Sequence, residues 1–424
     1  MEDFSTLVLT SLFFIVGYIF IILEHPVRVN KAGTALMTAI VMWGFLLFMT
    51  PHTEDNAVSS ELSKHLSSVS EVIFFLLGAM SIVEIINAHK GFNFFLHILH
   101  IRSLRLFCVI FSLVAFFLSA ILDNLTTTLV MVAILRRVVH DKQQRLLVGG
   151  AIVIAANAGG AWTPIGDITT TMLWIGGEIT TVNTITTLFI PSLVCLLGAL
   201  IPIYFMLDDV DIDVYDVDST HEYEPRGKFI FILGIASLVS VPLIKVITGL
   251  PPYMGMLFGL SILWIFTDRF HAHFENRDHL RLPNLFTKVD LAGPLFFFGI
   301  LLAVGSLETV GLLTMLEKGL DHLFTSKATI SLAIGLLSSL VDNVPLVAAC
   351  MNMYSLEQVL PDAPFWQGLA YCAGTGGSIL VIGSAAGVAF MALEKVSFLW
   401  YLRYVSLPAL LGYLAGFGAY LLIV

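Results

Sequence analysis

Apolar residues fill this chain in long blocks, at about 4–23, 32–50, 70–88, 184–207, 228–247, 251–266, 291–310 and 404–424. Each block is close to the ~20 residues an α-helix needs to cross the ~30 Å hydrocarbon core of a bilayer, so each predicts a transmembrane helix. Four further apolar stretches, 104–139, 146–177, 328–355 and 366–394, carry a break near their middle. In two of them the break is an Asp-Asn pair, in SAILDNLTTTLVMVAI (119–134) and SSLVDNVPLVAACM (338–351). A carboxylate at the bilayer centre costs about 2.5–3.5 kcal/mol on insertion scales, and such residues mark ion or proton pathways. An Asp-Asn turn in an interfacial loop is the other reading. Pro345 disfavours a continuous helix through Asn343 and Val344, so each stretch reads as two half-helices meeting at a tip.

Basic residues then orient the elements, because they gather on the cytoplasmic side of short loops. Arg102 and Arg105 precede the first Asp-Asn stretch, and Arg136, Arg137, Lys142 and Arg145 follow it. A segment basic at both ends reads as a hairpin entering from the cytoplasm, its irregular tip lined by protein or water. With the N-terminus outside, all of the 21 Lys and Arg fall on the cytoplasmic side except Lys64, Lys245, Lys318 and Lys327. The second hairpin then enters from outside, followed by Glu357 and Asp362.

Each half thus holds three helices, an amphipathic connector, a re-entrant hairpin, a broken crossing and a last helix. Five crossings per half, an odd number, invert the second half relative to the first. Asp342 follows Asp123 by 219 residues, and Thr375-Gly376-Gly377 follows Ala158-Gly159-Gly160 by 217. The expected fold is an all-α polytopic membrane protein of two inverted-topology repeats, 1–207 and 228–424, with re-entrant hairpins and broken transmembrane helices. Between them lies an acidic cytoplasmic linker, 208–227, that reads as a solvated tether; a cation antenna or divalent-metal site is the alternative, although the EF-hand spacing is absent. Inverted repeats with discontinuous helices characterise secondary transporters, whose sites lie at the repeat interface near the midplane.

Composition excludes the other broad classes. The 424 residues are 57% hydrophobic and 12% charged, with a mean hydropathy of +0.91, whereas soluble domains carry about 25% charge. The first block follows Glu2 and Asp3 rather than a basic flank, and reads as a retained helix. Cys108, Cys195, Cys350 and Cys372 lie in apolar runs without ligand spacing, so free packed thiols are expected and no zinc site. The net charge of −10 argues against nucleic acid, although the linker supplies most of it.

The broken crossing IAANAGGAWTPIGDITTTMLW (154–174) places Asn157, Thr163 and Asp167 around glycines and Pro164 that let the helix unwind and free its carbonyls. Its glycines follow no strand, so a nucleotide loop is not indicated. The mate, YCAGTGGSILVIGSAAGVAF (371–390), offers Ser378 and Ser384, with Ser384 where the first half has Asp167. Carboxylate, amide, hydroxyl and backbone oxygens suit small hard cations. Asp123, Asn124, Asn157, Thr163, Asp167, Asp342, Asn343, Ser378 and Ser384 therefore form the candidate ion site, with Na+ at Asp123, Asp167 and Asp342. Burial disfavours an ionised carboxylate that has no cation beside it, so protons and cations compete for the same groups. Glu84 and Glu308 sit late in their helices, where each is either a proton relay or a snorkelling side chain. His89, His97 and His100 on the connector offer a pH sensor or simply a polar face.

LDNLTTTLV followed by NAGGAWTPIGDITTTMLW resembles the NhaD-type sodium/proton antiporters of the ion transporter superfamily, over nearly the whole chain. The resemblance implies a site built from two hairpin tips and two unwound helices, and Na+ or Li+ efflux against inward H+ flow. The dicarboxylate members carry Ser-Asn-Thr-like tips; here the tips read Asp123-Asn124 and Asp342-Asn343, which fits the cation branch. The expectation is a non-enzymatic transporter in the cell membrane, without a resident cofactor, carrying Na+, Li+ and H+ in a lipid bilayer, with a homodimer as candidate assembly. The alternatives are an arsenite or organic-anion carrier of the same fold and, remotely, an intramembrane aspartyl protease. The topology is directly testable. A Cys replacing His140 in a Cys-free background labels only from the cytoplasm and one replacing Glu357 only from outside; labelling of both from one face removes the inverted repeat.

Overall fold

The computed structural model describes residues 4–22, 28–49, 55–91, 101–208, 210, 226–272, 274–324, 326–340, 343–354 and 356–424. The first half contains α1 (Phe4–Ile22), α2 (Lys31–Met49), α3 (Asp55–Ala88), hairpin arms α4 (Leu104–Ser119) and α5 (Asn124–Val138), a broken crossing α6 (Lys142–Ala161) and α7 (Ile168–Gly176), and α8 (Thr181–Met206). The second repeats this plan. It contains α9 (Gly227–Thr248), α10 (Pro252–His271), a short α11 (Leu282–Leu285), α12 (Ala292–Thr309), connector α13 (Leu312–Leu323), hairpin arms α14 (Lys327–Leu337) and α15 (Asn343–Met353), a broken crossing α16 (Pro364–Gly376) and α17 (Ala385–Glu394), then α18 (Phe398–Tyr404) and α19 (Ser406–Ile423).

The polarity of the molecule is that of a membrane protein. Phe48, Ile247 and Leu422 are 86%, 80% and 90% exposed, while Asn157, Ser112 and Thr170 are fully buried. Among the described residues six helices are long and apolar enough to cross a bilayer alone. Two boundaries depart from the hydrophobic blocks. Helix α3 starts at Asp55 rather than near residue 70, because the polar turns around Glu61 and Lys64 continue the helix beyond the apolar block. A separate helix precedes the last block: α17 and α18 meet at 114°, where Lys395 adopts a left-handed φ of 52° and Ser397 caps α18 by accepting from Trp400 N. His97, His100 and most of the acidic linker lie outside the described residues.

Packing repeats along with the elements. Helix α2 packs on α12 while α10 packs on α3; α4 packs on α6 while α14 packs on α16; α5 packs on α17 while α15 packs on α7. Two packed groups result. One holds α1–α3, α9, α10 and α12, the other α4–α8 and α14–α19, and they meet chiefly where α12 reaches α15 and α3 reaches α7.

The two helix breaks are fitted in the same way. Ser119 Oγ donates to Ala156 O at 2.6 Å, and Ser338 Oγ donates to Ala373 O at 3.2 Å. Gly159 lies directly on the Phe116 carbonyl, as Gly376 does on the Gly335 carbonyl, and a Cβ at either glycine would overlap that oxygen. The residues in each pair of contacts are related by the spacings seen in the sequence. Gly159→Ala is therefore expected to cost about 1–3 kcal/mol or more through overpacking against backbone. Gly319→Ala, where a Cβ meets nothing within 4 Å, is expected to be neutral or mildly stabilising. Thermal unfolding of the detergent-solubilised protein separates them, and equal midpoints would contradict the close-approach account.

Candidate functional site

The first hairpin tip is held in an unusual conformation. Asp123 has φ 143° and ψ 163°, a region occupied essentially by glycine and costing a side chain roughly 1–3 kcal/mol. Its carboxylate caps α5: Oδ1 accepts from Thr126 N and Oδ2 from Thr126 Oγ1, both at 2.7 Å. The negative charge thus sits at a helix N-terminus, where the dipole favours it.

From the tip a buried ladder crosses to the other repeat. Asn124 Nδ2 donates to Asn157 Oδ1 at 3.0 Å, and Asn157 Nδ2 donates to Ser384 Oγ at 3.0 Å. Asn157 comes from the broken crossing of the first half and Ser384 from that of the second. Thr163 Oγ1 donates to Ala120 O at 2.5 Å, tying the break to the hairpin.

Asp167 and Ser384 occupy repeat-related positions with nearly the same backbone, φ −142° and −145° at the N-caps of α7 and α17. Ser384 accepts from Gly387 N at 3.2 Å, whereas Asp167 makes no side-chain cap bond. Asp167 is 2% exposed, and its Oδ2 has no hydrogen-bond partner. A methyl group on Gly374 of α16 would lie 3.2 Å from that oxygen, so the carboxylate is aimed at the opposite repeat. Asp123 and Asp167 also act on each other electrostatically.

Buried polar atoms almost always have partners, yet the Thr127, Thr128, Thr169 and Thr170 hydroxyls and Asn343 Nδ2 have none. These lie in the first turns of α5, α7 and α15, the helices that start at the breaks. Among the described residues no three His, Cys, Asp or Glu side chains cluster as metal ligands. A cation here would take its remaining ligands from amides, hydroxyls and backbone, as hard monovalent ions do.

Asp123 opens onto a cavity of about 400 Å³ that reaches Lys31 and Asp290. A second, of about 390 Å³, shares Met80, Leu125, Thr126 and Asp290 with it and is lined by Glu84, Asn87 and Lys288. On the opposite face the repeat-related place, between α3, α12 and α15, holds about 110 Å³, lined by His65, Val72, Leu301 and Ala348. Glu308 lies at that face, 3.8 Å from His65 Nε2.

The structure thus brings Asp123, Asn124, Asn157, Asp167 and Ser384 together and sets Thr163 beside them. Asn343 is buried at the start of α15, and Asp342 lies outside the described residues. Ser378 sits apart from the ladder in the turn after α16: its hydroxyl donates to Thr375 O at 2.6 Å, and its carbonyl accepts from Tyr401 Oη at 2.8 Å. His89 is buried against His271, Nε2 to Nε2 at 3.0 Å, so it is not a solvated connector residue. The threonines and Gly374 were not singled out in the sequence. The signal available for the threonines is the recurrence of a Thr triplet two or three residues after each first-half Asp, at 126–128 and 169–171.

Two repeats, broken helices and an oxygen-lined site between them define a polytopic membrane transporter. A profile of the citrate transporter family (CitMHS) matches residues 18–366, and the chain belongs to that family. It is 48% identical to Sodium/proton antiporter 1 of Arabidopsis thaliana, over 97% of this chain and 71% of that protein. It is 30% identical to Na(+)/H(+) antiporter NhaD of Vibrio cholerae, over 97% of this chain and 91% of the relative. The resemblance drawn from the motifs is borne out.

Asn157 is the hinge of the ladder. Asn157→Ala removes both bonds and strands the Asn124 amide, an expected cost of about 1–3 kcal/mol. Ser384→Ala removes the second rung of the ladder and, with it, the α17 cap bond from Gly387 N, while Asn157 stays bonded to Asn124. Denaturation midpoints of the two variants measure these losses, and an unchanged midpoint in either would break the ladder account.

Proposed function

We propose that this protein exchanges Na+ for H+ across the membrane by alternating access. One observation carries the reading: the Asp167 carboxylate is buried with its Oδ2 lacking a hydrogen-bond partner, beside Asp123 and a ladder of neutral amide and hydroxyl groups. A buried carboxylate in that state calls for a proton or a cation. Relatives named as sodium/proton antiporters support the choice of Na+. Li+, also small and hard, suits the same oxygens. Asp342 is assigned to the second tip as the partner of Asp123, and Glu84 beside the second cavity to proton movement between bulk water and Asp123.

Residues 1–207 and 228–424 are read as the inverted halves, with the basic face towards the cytoplasm. Unequal cavities on the two faces, about 400 and 390 Å³ against 110 Å³, then correspond to an inward-open state. Pseudo-symmetric packing makes the opposite opening accessible by moving one packed group past the other, since two equivalent contact sets need only exchange.

The family description favours an organic anion as the second reading. Against it stand two acids at the site, which repel an anion. The test uses everted vesicles carrying a proton gradient. Na+ is expected to collapse the gradient and citrate to leave it unchanged. Asp123→Asn, Asp167→Asn or Asp342→Asn each reduces the Na+ response to background while the protein still inserts. Wild-type exchange by any of these variants would remove that carboxylate from the mechanism, and a citrate response without a Na+ response would reverse the assignment.

A further inference from the structure

Near the small cavity a hydrogen bond crosses between the two packed groups. Lys245, in the last turn of α9, donates from Nζ to the carbonyl of Trp174 at 2.6 Å. Its ammonium also lies 4.3 Å from the centre of the Trp174 ring, which is fully buried. Trp174 is near the end of α7, where carbonyls have no intrahelical partner. The neighbouring Leu173 O accepts from Gly177 N and Glu178 N, so the lysine satisfies the next one. A cation at a helix C-terminus and over an aromatic face is favourable on both counts. Helix α7 is a nine-residue rod, with Asp167 of the ion site as its N-cap and Lys245 at its other end.

Among the described residues the basic face shows no equivalent. The repeat-related end of α17 carries Glu394, held by Arg136 at 2.6 Å and Arg145 at 3.0 Å, and α5, α6 and α17 all belong to one group. That clamp moves as a unit, whereas the Lys245 contact must break if the groups slide.

We infer that Lys245 is a positioning residue for transport, a latch that holds α7 to the first packed group and must release Trp174 before the ion site opens to the outer face. The inference rests on the alternating-access reading above. Glu178 tunes the latch. It lies in the loop after α7, 6% exposed, with Oε2 unpartnered, against Gly176 and within electrostatic reach of Lys245. The other charges are Glu71 on α3, which also acts on Lys245, and Asp362, whose N–H donates to Glu178 O while its carboxylate accepts from Thr180 N and Oγ1.

Burial pushes the Glu178 carboxyl up to about 7. Above that pH the carboxylate is charged and holds Lys245 in place; below it the group is neutral and the latch loosens. Outer opening is therefore favoured as pH falls through about 7. That ordering suits an exchanger that collects protons outside.

The test is labelling by a membrane-impermeant maleimide from the outer side, at Ala348→Cys, a buried position lining the small cavity. The four native cysteines are buried and serve as the internal control for folding. At pH 8 the otherwise wild-type chain labels slowly, and labelling rises towards pH 6. Lys245→Met raises the pH 8 rate at least about fivefold; Lys245→Arg keeps it slow. Glu178→Gln, which leaves Lys245 in place, labels at pH 8 as the parent does at pH 6 and loses the pH dependence. It reads the latch even if Lys245→Met fails to fold. Unchanged labelling in Lys245→Met or in Glu178→Gln, or fast labelling in Lys245→Arg, overturns the proposal. Labelling reports access whichever ion is carried, so this outcome is separate from failure of the Na+ assignment.

Discussion

A helix broken inside a bilayer leaves backbone donors and acceptors that lipid cannot satisfy, and everything else in this protein follows from how those groups are met. Each break is pressed onto the first arm of the neighbouring hairpin, so closely that Gly159 and Gly376 have no room for a side chain. Ser119 and Ser338 then tie each hairpin arm to a carbonyl of the helix leading into the break. The helix starts left at the centre are the sites for charge. Asp123 uses its carboxylate as a cap, and Asp167 takes the same kind of position without doing so. The structural solution to a backbone problem thus also places two carboxylates at the breaks.

The repeat is close in backbone and unequal in chemistry. Asp167 faces Ser384 as its mate, and the Arg136–Glu394–Arg145 clamp faces a surface that offers Glu178 and Asp362 instead. A perfectly symmetric chain would have two equivalent faces and no preferred state. Side chains that differ between the halves bias the equilibrium, and the cavities differ in size accordingly. A bound ion adds to this bias only by its differential affinity for the two states.

Much of this was legible in the sequence. Block lengths located the spans, the paired Asp-Asn breaks located the hairpins, and the spacings of 217 and 219 residues matched elements that pack alike. What remained hidden has a common cause: it depends on which helix faces which. Composition around Ser378 and Ser384 is similar, yet one hydroxyl closes a helix end and the other completes a ladder from the opposite repeat. Lys245 reads as one of a few outer-face lysines, and only the approach of α9 to α7 gives it Trp174. His89 reads as part of a polar connector until His271, from a different helix pair, is found against it. The start of α3 escaped for a different reason, since hydropathy marks where a helix meets lipid and not where it begins.

The sign of the cargo rests on very few atoms. Two unit charges about 4 Å apart interact by about 4 kcal/mol at an effective dielectric of 20, so one carboxylate at the tip is enough to reverse which ion is favoured. The scaffold asks for helix breaks, glycines and caps, and is indifferent to whether a cap is Ser or Asp. Ser384 and Asp167 make that point within a single chain: the same backbone accommodates both, and the charge of the site is set by the one that is ionisable.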